Sequence, residues 1–213
     1  MQTNCIIFLK IIHGDFIIMQ QSNFYAMLFR MKYINRWGLM NNTRYENLSE
    51  HSLEVAMIAH CLVMIANKRF GKKLDGERAA ILALFHDSTE IITGDMPTPI
   101  KYFNPTIINA YKEIETAAAD KLIVLLPDDF KEDMEHIIKM DTATDVELKP
   151  YIKAADKFSA LIKCINEIRM GNDEFIKAKE TILTAIRDMN MPESKVFEDE
   201  FLPPFMLSLD EQG

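Results

Sequence analysis

The sequence is poor in the residues that punctuate a chain: 7 glycines and 8 prolines in 213 residues fall below the usual shares of about 7% and about 5%. That scarcity disfavours turn-rich β architecture, and no linker, repeat or low-complexity tract divides the chain. Cysteine is scarce too. Cys5, Cys61 and Cys164 stand far apart with no CxxC pair, which argues against a disulfide framework or a cysteine-rich zinc site and fits a reducing cytoplasm. Basic charge is in deficit, with 24 Lys and Arg against 32 Asp and Glu, a net charge of -8 and a pI near 5.2. Such a surface offers no field for a nucleic-acid polymer or a membrane. The opening CIIFLKIIHGDFII is broken by Lys10, His13 and Asp15 and lacks a small-residue cleavage site, so it reads neither as a signal peptide nor as a bilayer span.

What is present is 48% hydrophobic residues, with Met, Leu, Ile, Ala, Lys and Glu prominent, so the expectation is one mostly α-helical domain. Apolar spacing predicts a first helix from Ser22 to Lys32. Asn47, followed by Glu50, suggests a capping box opening a second helix near LEVAMIAHCLVMIA. Asp75 is placed to cap a third, with Ala79, Leu82 and Phe85 inward, running to about Ile91. Prolines in TGDMPTP predict a stiff loop from Gly94 to Pro99. Further helices are expected over Pro105 to Leu126, Asp128 to Met140, Pro150 to Arg169 and Asp173 to Met189, with Gly171 a natural stop. The tail FLPPFMLSLDEQG reads as irregular, its aromatics packing back on the bundle.

FHDSTE, residues 85–90, follows the apolar run AAILAL. On a helix Glu90 lies four residues after His86 and three after Asp87, so the three side chains converge. His51 is aligned with Val55, Ile58 and Leu62 and faces where that stripe faces. Asp156 shares a line with Ile152 and Ser159. Imidazole and carboxylate converging from different helices suit a divalent ion in a bundle core. Taken singly, His86-Asp87 could be a solvated helix end, and Asp156, between Lys153 and Lys157, a surface charge. His60 and His136 lack such companions and read as structural. GKKLDG at 71–76 has the Gly-x4-Gly spacing of a phosphate loop but continues Glu-Arg and follows no strand, so it is set aside.

INRW at 34–37, ENLSEHSLEVA at 46–56, FHDSTEIITGDMPTPIKYFN at 85–104, AADKFSALIKC at 154–164 and LPPFMLSLDE at 202–211 together resemble the HD-domain phosphohydrolases, and within them the bacterial 5′-deoxynucleotidases. The resemblance implies an all-α HD-domain helical bundle and one divalent ion (Co, Mn, Zn or similar) held by His51, His86, Asp87 and Asp156. It implies Glu90 as catalytic acid/base, Arg36 orienting the phosphate, and Trp37 against the sugar. Asp95, Met96, Pro97 and Thr98 would hold the nucleotide beside the ligands His51, Asp87 and Asp156. A homodimer is implied as well. The resemblance begins near Met19, which makes residues 1–18 a leader and residues 19–213 the single domain.

The implied chemistry is sound in its own terms. A phosphate dianion repels hydroxide, a metal acidifies water and neutralises phosphate charge, a carboxylate exchanges a proton, and an arginine fork grips phosphate oxygens. Two other readings compete with hydrolysis of deoxyribonucleoside 5′-monophosphates: a phosphodiesterase acting on a signalling nucleotide, and a non-catalytic nucleotide-binding module. The first lacks an evident second histidine cluster and a GYP signature. The second is at odds with a full set of ligands and Glu90.

Overall fold

The computed structural model describes the backbone of residues 7–12 and 15–213, and side chains from residue 21 onward. Two strands, β1 (Ile7–Ile12) and β2 (Asp15–Gln20), pair antiparallel with Ile7 opposite Gln20. The boundary expected between residues 18 and 19 thus falls inside β2. Ten α-helices follow among the described residues: α1 (Phe24–Leu28), α2 (Leu48–Phe70), α3 (Gly76–Phe85), α4 (Glu90–Thr93), α5 (Thr98–Lys101), α6 (Pro105–Ile123), α7 (Asp128–Lys139), α8 (Ala143–Arg169), α9 (Ile176–Asp188) and α10 (Pro192–Glu200).

Helix α2 starts where its cap dictates. Asn47 Oδ1 accepts from the N–H groups of Ser49 and Glu50 at 3.0 and 3.1 Å, and Glu50 returns a bond to the Asn47 N–H at 3.3 Å, satisfying donors that would otherwise be orphaned. It ends at Gly71, whose φ of 67° is the left-handed conformation a C-cap requires. Although α2 is long and apolar enough to cross a bilayer, its Val55, Ile58, Ala59, Leu62 and Val63 are buried in the bundle. They form one core with α3 and α8, joined by Ile186 of α9 and Phe197 of α10. A second core gathers Phe24 and Leu28, Leu48 at the start of α2, Leu122 of α6 and Met134 of α7. His51 sits one turn from Leu48, where the two cores meet.

Several expected boundaries are corrected. The first helix is α only to Leu28 and continues as 3-10 helix over Phe29–Tyr33. The third does not run to Ile91: Ser88 and Glu90 bond back to the carbonyls of Phe85 and Asp87 at 3.0 Å each, so α3 tightens into turns and α4 begins at Glu90. The proline loop is shorter than expected, because Pro97 caps α5. Helix α8 begins seven residues before Pro150, with Thr142 Oγ1 accepting from the Asp145 N–H at 3.1 Å. The Asp173 to Met189 segment opens as a 3-10 turn before α9. Helix α10 was not anticipated, because PESKVFEDE has only Val196 and Phe197 as apolar residues and shows no period. The tail forms two short 3-10 turns, and Phe205 packs against the core.

Candidate active site

Arg36 reaches the bundle because its strand-like segment pairs with the approach to α2. Arg36 N–H donates to Glu46 O at 2.9 Å and Leu48 N–H to Ile34 O at 3.0 Å. The guanidinium then meets Glu46 Oε1 at 2.5 Å, His51 Nδ1 at 2.8 Å and Asp156 Oδ1 at 3.9 Å. Burial disfavours its charge, but Glu46 and Asp156 outweigh burial and keep it protonated.

His51 projects from the first turn of α2, fully buried. His86 and Asp87 follow the end of α3, and Asp156 comes from the middle of α8. His86 Nδ1 donates to the Ala83 carbonyl at 2.7 Å, which leaves its Nε2 lone pair facing inward in the neutral ring. Nε2 of His86 lies 3.1 Å from Asp87 Oδ2; Nε2 of His51 lies 3.5 Å from the same oxygen and 3.2 Å from Asp156 Oδ1. One ligand atom each from His51, His86 and Asp87 falls within a 4.8 Å group. Asp156 adjoins that group, its side chain 39% exposed.

The cluster fits a divalent ion. Both Nε2 atoms are buried and meet no partner with hydrogen-bond geometry, a condition that costs free energy unless something cationic is shared among them. The donor set of two imidazoles and carboxylate suits Zn, Mn, Co or Fe. Protein charges alone show the same demand. Burial and Arg36 hold His51 below the usual imidazole range. Burial works against charging His86 as well, yet Asp87 outweighs it and pushes that ring up to about 9. Asp87 and Asp156 are held below the carboxylate range by the histidines despite burial.

Glu90 is 7% exposed. Burial first, then Asp87 and Asp95, push its carboxyl up to about 9, and Oε2 has no partner. At neutral pH it is an acid with a proton to give. Trp37 has φ 62°, unusual for a residue with a bulky side chain. Its N–H donates to Asp95 Oδ2 at 3.1 Å, its carbonyl accepts from Asn42 Nδ2 at 3.2 Å, and its ring packs against Phe175 with centroids 5.4 Å apart. Asp95 therefore ties the loop carrying Met96, Pro97 and Thr98 to the Arg36-Trp37 turn. Pro97 and Thr98 begin α5, whose Lys101 bonds Glu115 at 3.1 Å.

The expected residues Arg36, His51, His86, Asp87 and Asp156 thus come together, and Trp37 joins Asp95. Sequence reasoning missed Glu46, which holds Arg36, and the pair Ser159 and Glu54. Ser159 Oγ lies 3.0 Å from His51 Nδ1 and donates to Glu54 Oε2 at 2.8 Å. Glu46 and Glu54 lay within ENLSEHSLEVA, and Ser159 on the inward line of Asp156, so the signal was proximity to the motifs. A cavity of about 580 Å³ between α2 and α8 is lined by Glu46, Glu50, Glu54 and Glu167 with Arg44, Lys163 and Arg169. None of the metal-type ligands lines it.

Over residues 23–205 the chain matches the family described as 5′-deoxynucleotidase YfbR-like. It is 47% identical over 193 residues to a 5′-deoxynucleotidase of Vibrio vulnificus, covering 91% of this chain and 99% of that one. It is 45% identical to 5′-deoxynucleotidase YfbR of Escherichia coli, covering 91% and 96%. Among solved structures, an HD-domain phosphohydrolase of Listeria innocua superposes with a TM-score of 0.72 at 22% identity, covering 89% and 91%. The cyanophage S-2L HD phosphohydrolase DatZ, bound to dA and one catalytic Zn²⁺ ion, superposes with a TM-score of 0.59 at 19% identity, covering 84% and 95%. These two likenesses agree on the fold, and the match over 23–205 with relatives near half identical fixes the kinship: the chain belongs to the YfbR-like 5′-deoxynucleotidase family.

Proposed function

We infer that this chain is a metal-dependent phosphomonoester hydrolase that converts deoxyribonucleoside 5′-monophosphates to deoxynucleosides and phosphate. The observation that carries the reading is the pair of buried, unpartnered Nε2 atoms of His51 and His86 converging on Asp87. His51, His86, Asp87 and Asp156 would hold a single divalent ion, which when bound acidifies water and neutralises phosphate charge. Arg36, charged and close to that cluster, grips phosphate oxygens. The attacking water gives up one proton to solvent as its oxygen bonds to phosphorus; as the bond to the 5′ oxygen breaks, Glu90 delivers its proton to the departing oxygen and regains one from solvent. Trp37 bounds the sugar, and Asp95, Met96, Pro97 and Thr98 close over the nucleoside. Among the described residues one His/Asp cluster of metal-ligand geometry occurs, which supports a one-metal monoesterase over a two-metal phosphodiesterase.

A cytoplasmic homodimer is part of the same proposal. Unpaired Cys61 and Cys164 suit a reducing compartment, and the exposed Leu53, Met57 and Met64 of α2 offer apolar surface to a second copy; a monomeric mass by light scattering contradicts that part. Phosphate release from deoxyribonucleoside and ribonucleoside monophosphates, and chromatographic loss of cyclic dinucleotides, each with Co²⁺, Mn²⁺, Mg²⁺ and Zn²⁺, test the activity. Turnover is expected for the deoxy monophosphates. Cleavage of the cyclic diesters alone, or release from no substrate with any ion, overturns the reading.

A further inference from the structure

Two neighbours at His51 Nδ1 demand opposite things of the ring. Arg36 Nη1, 2.8 Å away, belongs to a group that only donates; it requires a bare Nδ1 and a proton on Nε2. Ser159 Oγ, 3.0 Å away, gives its single proton to Glu54 Oε2 at 2.8 Å. The hydroxyl can then only accept, which requires a proton on Nδ1 and leaves Nε2 as a lone pair. The surroundings of Nε2 decide between them. Asp156 and Asp87 stand 3.2 and 3.5 Å from it, yet neither meets it with hydrogen-bond geometry, so no acceptor takes a proton placed there. Arg36 has its own acceptor in Glu46 Oε1 at 2.5 Å and does not need the ring.

We propose that Ser159 and Glu54 are positioning residues that set the metal-binding form of His51 through the chain Glu54, Ser159 hydroxyl, Nδ1–H. The proposal rests on reading the His51 cluster as a metal centre. Both residues are placed for the task by helix periodicity: Glu54 is three residues after His51 on α2, and Ser159 three after Asp156 on α8. The relay therefore joins the two helices beside two ligands. It also orients the ring, because an imidazole held at Nδ1 has its Nε2 direction fixed. Ser159 is fully buried, while Glu54 reaches the edge of the cavity between α2 and α8, so Glu54 can be changed without opening the core.

The experiment is a Co²⁺ titration of the purified, chelator-treated full chain, followed by visible absorption, on wild type, Ser159→Ala, Glu54→Ala and Glu54→Gln, with melting temperature recorded for each. Ser159→Ala and Glu54→Ala are expected to bind Co²⁺ about 10–100-fold more weakly, Glu54→Ala with an unaltered melting temperature. Glu54→Gln, which keeps an oxygen to accept the serine proton, is expected to stay close to wild type. If Ser159→Ala does not fold, the two Glu54 variants decide. Unchanged affinity in Glu54→Ala overturns the proposal. So does a loss in Glu54→Gln equal to that in Glu54→Ala, because charge and not hydroxyl orientation then sets affinity. A folded wild type that takes up no Co²⁺ overturns the metal centre itself.

Discussion

At the scale of single residues, Glu90 and Trp37 are each held in a state that costs free energy elsewhere in proteins. Glu90 is a buried acid, its carboxyl pushed up to about 9 by burial and by Asp87 and Asp95. Glu90→Gln removes the transferable proton and leaves shape intact, so kcat is expected to fall by about 10²–10⁴ while Co²⁺ affinity is retained. Activity within a few-fold of wild type would assign the proton to another group. Trp37 holds φ 62°, a conformation worth about 1–3 kcal/mol of strain, and is kept there by Asp95 and Asn42. In the proposed site, a rigid indole beside the sugar would leave a 2′-hydroxyl without a partner, at about 1–3 kcal/mol. Trp37→Ala is expected to shrink the deoxy-to-ribo ratio of kcat/KM by about tenfold; an unchanged ratio makes Trp37 a structural anchor. The convergence of His51 and Asp156, two of the proposed ligands, was legible because helical periodicity places His51 with Val55 and Ile58, and Asp156 with Ile152. Ser159 was seen as inward but not as a partner of His51: that contact spans 108 positions and depends on how α2 crosses α8.

At the scale of elements, the start of α8 shows what a local reading overlooks. Pro150 is a good first-turn residue, so the helix was expected to begin there. A stronger start lies upstream: Thr142 caps Asp145, and Arg78 of α3 grips the fully buried Asp145 with bonds of 2.8 and 2.9 Å. That long-range fork stabilises the first turns of α8 enough to carry the helix through a proline. It also couples α3, which leads into His86 and Asp87, to α8, which presents Asp156. Arg78→Met leaves Asp145 buried and unpaired and is expected to cost about 3 kcal/mol, a fall of about 6–12 °C in melting temperature. A fall below 2–3 °C (about 1 kcal/mol or less) would show the fork to be dispensable. The pH dependence has a defined sign. Arg78 holds Asp145 below its ordinary value of 3.8, so the unfolded chain binds the proton more readily. The stabilisation is complete above that value and is lost as pH falls through the lower folded one. The difference in unfolding free energy between wild type and Arg78→Met should therefore narrow as the solution is acidified below about pH 4.

At the scale of the whole molecule, scarcity of glycine and proline correctly foretold a helical domain, and the cores that bury α2 against α3 and α8 bring the segments carrying His51, His86 with Asp87, and Asp156 to one point. The β1–β2 hairpin was not foreseen. Its Ile-rich runs on either side of HGD carry strand and turn signals, but the segment was judged by its failure as a leader and not by its own pattern. We propose that residues 19–213 form the functional unit, since the family match spans 23–205. A chain started at Met19 is expected to keep its melting temperature and kcat/KM, and a large drop in either would make the hairpin part of the domain.

The most direct measurement follows phosphate release from a deoxyribonucleoside 5′-monophosphate as the chelator-treated chain is titrated with Co²⁺, beside an Asp87→Ala variant. The expected result is no release at the start, a linear rise that breaks at one ion per chain, and no rise at all in the variant. Full release before any ion is added, a break at two ions per chain, or an active Asp87→Ala protein would contradict a single metal centre built by His51, His86, Asp87 and Asp156.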